Sequence, residues 1–139
     1  MGVEIKFWRS NIKPGKPIVF GTFNSGGYSK LVFGLPGNPV SSLVNFEIFI
    51  RENIIKLYHQ PKQEYIEAVL QNNLIKTDTK RHFMRGVLTK TTDGTYEVSS
   101  EFSQSSGSLV EMSKANCLMI IEEESINPAK GRVVKCMMI

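Results

Sequence analysis

The stretch Lys30-Leu-Val-Phe-Gly-Leu-Pro-Gly-Asn-Pro-Val-Ser41 limits what this chain can fold into more than any other. Leu31 to Phe33 reads as a buried strand. Gly34 and Gly37 then open backbone angles that other residues resist, so the chain can turn sharply. Asn38 suits a helix N-cap, because its side-chain oxygen can accept from amides two or three residues on. Pro39 suits the first helical position, where no amide partner is needed. A strand, a glycine turn and a capped helix leave amides directed at the turn. Gly34, Pro36, Gly37, Asn38 and Ser41 could therefore seat a phosphate or another oxyanion. The same residues also suit a strand-to-helix junction without a ligand.

The helix is expected to run from Pro39 to about Tyr58. Leu43, Phe46, Ile50, Ile54 and Leu57 recur at helical spacing, which predicts that this face is buried. Val44, Ile48 and Ile55 widen it. Upstream, Val3 to Trp8 alternates like a strand and Ile18 to Phe20 is a second, shorter one. Between them Lys13-Pro-Gly-Lys-Pro17 forms a loop stiffened by its prolines. Asn24 to Ser29 reads as a turn. The pattern changes at Pro61 to Gln63. Tyr65–Ile75, Phe83–Thr91, Tyr96–Glu101, Cys117–Ile121 and Val133–Ile139 then read as strands, with Asp93-Gly94 as a hairpin turn. No helix is expected there. The predicted architecture is a partial α/β domain over 1–61, strands plus one long helix, followed by a small all-β barrel domain over 62–139.

The chemistry is rich in anion donors and poor in catalytic groups. Lys13 and Lys16 place two cations in the stiff loop. Arg81 and Arg85 flank His82-Phe-Met84, and arginine offers several fixed donors to an anion. Gln104-Ser-Ser-Gly-Ser108 adds hydroxyls. Each of these also reads as an ordinary solvated loop or strand end. No serine stands in a nucleophile motif, and the Gly-Lys-[Ser/Thr] ending of a phosphate-binding Walker loop is missing. The aspartates are only Asp78 and Asp93, few for a magnesium site. His59 and His82 lack metal-ligand spacing and read as surface or structural residues. Cys117 and Cys136 lack the paired spacing of a zinc or disulfide framework, so reduced thiols in a cytoplasmic protein are expected. No apolar run is long enough for a membrane helix. The net charge of +4 suits a small anionic ligand. It is not gathered into a basic block, and the aromatic residues are too scattered for a nucleic-acid platform.

Lys13-Pro-Gly-Lys-Pro17 followed by Gly34-Leu-Pro-Gly-Asn-Pro-Val-Ser41 resembles the C-terminal region of the MoeA/gephyrin E-domain family, the molybdopterin molybdenumtransferases. Arg81 to Gly86, Gln104-Ser-Ser106 and Ser113-Lys-Ala-Asn116 resemble later segments of that family, in the same order. The resemblance implies the back half of a molybdopterin-binding-type domain, then the family's C-terminal barrel. It implies a molybdate site at Lys13, Lys16, Pro17, Arg81 and Ser106, with Arg85 and Ser105 as the alternatives. It also implies insertion of molybdate into adenylylated molybdopterin, with release of AMP and the help of Mg²⁺. Family members carry a further acidic, glycine-rich segment before this region. The chain is therefore expected to be a C-terminal fragment, incomplete for catalysis and prone to homodimerise. The competing expectation is a non-catalytic anion-binding or scaffold module.

Overall fold

The computed structural model describes residues 2–100, 104 and 109–139. The first part is built on a three-stranded antiparallel sheet in the order β1-β3-β4. Its strands are β1 (Glu4–Arg9), β3 (Pro17–Ser25) and β4 (Tyr28–Gly34). Between β1 and β3, the short β2 (Ile12–Lys13) leaves this sheet to pair elsewhere. The β3–β4 hairpin turns at Gly26 and Gly27, whose φ of +59° and +82° explain why glycines stand there. Phe20 links the strands, its ring 5.4 Å from Phe7 and 5.0 Å from Phe33.

The junction after β4 forms as its residues dictate. Asn38 takes an extended conformation and its Oδ1 accepts from the Ser41 amide at 3.0 Å. Pro39 opens the helix. The predicted long helix is present in three consecutive pieces: α1 (Pro39–Asn45), a π-helical turn (Phe46–Ile50) and α2 (Arg51–Leu57). The expected buried face is corrected. Leu43, Phe46, Ile54 and Leu57 are exposed, whereas Val40, Ser41, Val44 and Asn45 are buried. The helix carries apolar residues on two flanks. Its docking partner, not periodicity, selects the Val40–Val44–Ile48 flank.

The second part is a closed barrel. β6 (Arg81–Lys90) pairs with β7 (Tyr96–Ser99), which pairs with β5 (Tyr65–Leu70), and the order continues through β9 (Val133–Met138) to β8 (Cys117–Ile121). β8 returns to β6 and closes the ring of five strands. Side chains alternate along each strand. Leu70, Met84, Val98, Cys117, Met119 and Cys136 fill one core cluster. Both cysteines are free and buried. One expectation is overturned here: Leu109–Ser113 forms a short helix, α3. Five residues are too few to show a helical period in the sequence.

The other face of the barrel carries Phe83, Leu118 and Met137, which form a second cluster with Ile12, Val40, Val44 and Met112. This cluster fastens α1 and α3 to the barrel. Beside it β2 pairs in parallel with the start of β6, with Ile12 opposite Arg81 and Lys13 opposite His82. The Arg81 amide donates to Asn11 O at 3.1 Å. The Pro14–Pro17 loop is thereby held against the turn that precedes β6.

Candidate functional site

The Pro14–Pro17 loop is braced from behind by α1. Gly15 adopts φ +104°, and a Cβ placed there would lie 2.6 Å from Asn45 Oδ1. Asn45 is fully buried, and its Nδ2 donates to Pro17 O at 3.4 Å. On the other side of the loop, the Ser10 amide donates to Lys16 O at 3.0 Å. These contacts hold the backbone while leaving Lys13 and Lys16 exposed. The loop forms one wall of an open cleft of about 500 Å³. Ser41, Lys80 and Gln104 complete its lining with Ile12 to Pro17.

The turn before β6 is equally well fixed. Asp78 Oδ1 accepts from the Lys80 amide at 3.0 Å and lies 2.8 Å from His82 Nε2. Its other oxygen accepts from Lys13 Nζ at 3.4 Å. These donors hold the Asp78 carboxyl well below the usual range, with the Lys80 amide the largest cause. Burial pushes the His82 imidazole down, against the pull of Asp78. Lys76 is buried with its chain, and its Nζ donates to Asp78 O at 2.7 Å and Glu123 O at 2.8 Å. A buried ammonium needs such partners to offset lost hydration.

Gln104 connects the cleft to the barrel. Its Oε1 accepts from the Arg85 amide at 3.0 Å, and its Nε2 donates to Arg85 O at 3.0 Å and Ser100 Oγ at 2.5 Å. Arg85 is buried, which pushes its guanidinium down while Glu111 opposes the shift. The Asn116 side chain clamps Leu88 in the same two-handed way, at 2.7 Å and 3.0 Å.

Of the residues expected at a molybdate site, the structure brings Lys13, Lys16 and Pro17 to the cleft. Arg81 is not among its lining residues. Its guanidinium holds Glu122 at 2.7 Å and Glu123 at 3.2 Å. Ser106 and its alternative Ser105 lie outside the described residues. Of the junction residues only Ser41 lines the cleft, while Asn38 is engaged in capping. Sequence reading missed three contributors: Lys80, Asp78 as an anchor, and Asn45 as the brace behind Gly15. Asp78-Thr-Lys80 does carry a local signal, since an aspartate that accepts from an amide two residues on is a common turn former. Asn45 carries none, because its position matters only once the loop is folded over the helix. Asp78 is engaged by Lys13, His82 and the Lys80 amide. Among the described residues there is no group of three or more His, Cys, Asp or Glu side chains suited to a metal. The described residues do not fit magnesium.

Residues 67–139 match the model of the MoeA C-terminal region (domain IV), and residues 1–56 match that of a probable molybdopterin binding domain. The chain is 35% identical over 134 residues to a molybdopterin molybdenumtransferase of Haemophilus influenzae, covering 94% of this chain and 32% of that protein. A gephyrin of Dictyostelium discoideum is 28% identical, covering 97% of this chain and 22% of its own length. The chain thus spans about a third or less of the curated relatives it matches. Among solved structures, a molybdopterin biosynthesis MoeA protein of Pyrococcus horikoshii shares the fold. It has a TM-score of 0.76 at 24% identity, over 99% of this chain and 33% of that one. A molybdenum cofactor biosynthesis protein of Pyrococcus furiosus gives 0.77 at 22%, over 99% and 46%. With residues 67–139 and 1–56 matched in the family's order, this chain belongs to the MoeA family of molybdenum cofactor biosynthesis proteins.

Proposed function

We propose that this chain carries the oxyanion-binding part of a molybdopterin molybdenumtransferase, and that it holds molybdate for insertion into adenylylated molybdopterin with release of AMP. The observation that carries the reading is the cleft itself. Lys13 and Lys16 stand on a braced loop, Ser41 brings a hydroxyl to the lining, Gln104 ties the cleft to the barrel, and the whole faces solvent. Ionised donors around a dianion make short, strong hydrogen bonds. Gln104 ties the Arg85 backbone to the cleft, and the Arg81 guanidinium holds two carboxylates. The reading keeps Arg81, with Arg85 as its alternative, as the arginine of the site, and it keeps Ser106 as its hydroxyl. The chain's own residues bind and orient the oxyanion. Acid, base and pterin contacts come from the remainder of a full-length enzyme, so the isolated chain is incomplete for the reaction. We extend the same reading to a homodimer working in the cytoplasm.

A non-catalytic anion-binding or scaffold role is the alternative. It is favoured by one observation: Asp78, the carboxylate beside the cleft, is fully engaged by its neighbours. Equilibrium dialysis with molybdate tests the site. Lys16→Ala is expected to weaken binding about tenfold, the loss of one charge-assisted contact, while Arg9→Ala leaves it unchanged. Equal effects from the two substitutions would refute the assigned cleft. Adding the missing front portion as a separate chain and measuring AMP release separates enzyme from scaffold.

A further inference from the structure

We propose that Lys80 is a direct ligand of the anion held in this cleft, and that it completes with Lys13 and Lys16 a three-lysine set selective for tetrahedral dianions. The proposal rests on the anion-cleft reading above and adds to it a residue and a charge requirement. Lys80 lines the same cleft as the loop that supplies the other two, and it stands just before β6, the barrel strand that pairs with β2. Its backbone is fixed on both flanks. Its own amide donates to Asp78 Oδ1 at 3.0 Å, and the next residue's amide donates to Asn11 O at 3.1 Å. Buried Lys76 pins the Asp78 carbonyl at 2.7 Å, so the turn is held from below as well. A long, flexible side chain loses less freedom on binding when its backbone is already ordered.

Among the described residues, the acids leave this ammonium unpaired. Asp78 meets Lys80 only through the backbone, and its oxygens face His82 and Lys13. Glu122 and Glu123 are taken by Arg81. Among the described residues, no carboxylate pairs with Lys16 or Lys80. Three ammonium groups around one open cleft repel each other, and only one is partly neutralised, by Asp78. A dianion in the cleft would relieve that repulsion more than a monoanion of the same shape. Because Lys80 comes from the barrel and Lys16 from the loop beside the sheet, anion binding would also tie the two parts together.

The test is titration calorimetry of the full chain with molybdate, and with perrhenate as a tetrahedral monoanion. Lys80→Gln is expected to weaken molybdate binding about tenfold and to reduce the preference for molybdate over perrhenate. Lys80→Arg should stay within about threefold of the original affinity. Lys80→Glu, which reverses the charge, should abolish binding. Lys130→Gln, on a distant turn, should change nothing. All these variants keep the amide that Asp78 binds, and matching thermal melts check that the turn survives. If Lys16→Ala weakens binding and Lys80→Gln does not, Lys80 is not a ligand and the cleft reading stands. If the unsubstituted chain shows no saturable molybdate binding, the cleft reading itself falls, and the role of Lys80 with it.

Discussion

Gly15 shows how much a single position can demand. Its φ of +104° is closed to residues with a side chain, and a Cβ there would meet Asn45 Oδ1 at 2.6 Å. Gly15→Ala is expected to cost about 2 kcal/mol through backbone strain and contact, read by urea denaturation. It should also weaken anion binding, because Lys16 moves with the loop. A variant as stable as the original would mean that the loop is not braced as described. His82 makes a second prediction. Its folded pKa is lowered by burial, so the unfolded chain takes up the proton first. Stability should therefore be full above pH ~6.5, the ordinary histidine value, and fall as the pH drops below it. Asp78 acts at lower pH. Its depressed pKa contributes stability above ~3.9 that is lost on further acidification. His82→Gln should flatten the melting temperature between pH 7 and pH 5; an unchanged slope would assign the effect to another group.

At the scale of the element, β6 couples the barrel to the site. Its start pairs with β2 and β8, its end with β7, and Gly86 marks the change. A Cβ at Gly86 would lie 2.8 Å from Val98 Cγ2 inside the core. Gly86→Ala should therefore destabilise the chain by about 1–3 kcal/mol through overpacking, seen as a lower denaturation midpoint at unchanged slope. No change would show that Val98 has room to yield. The helix teaches a different lesson. Its existence and both ends were legible from Asn38, Pro39 and Pro61, because caps and breakers act locally. Its buried face was not, since apolar residues on both flanks leave the choice to whatever packs against it. The π-helical turn at Phe46–Ile50 was likewise invisible to a reading that assumes one constant period.

For the whole molecule, the uncovered apolar surface is the most consequential feature. Val3, Ile5, Trp8, Leu31, Phe46, Ile54 and Leu57 are all exposed on the first part of the chain. Apolar exposure of this kind favours association, so light scattering is expected to give about twice the 15.7 kDa of one chain. A monomer mass at micromolar concentration would remove the dimer from the proposal. The barrel strands, the capped helix and the proline-flanked, lysine-bearing loop were readable from the order of residues. Each depends on turn formers, alternation or end caps acting over a few positions. The tertiary structure decided what lies far apart in the chain. It brought Lys80 into one cleft with Lys13 and Lys16, set Asn45 behind Gly15, directed Arg81 to two glutamates and linked Gln104 to Arg85. Those relations arise from β2 crossing to β6 and from one helix flank meeting the barrel. Both are choices among nearly equal local options that only packing over the whole chain resolves.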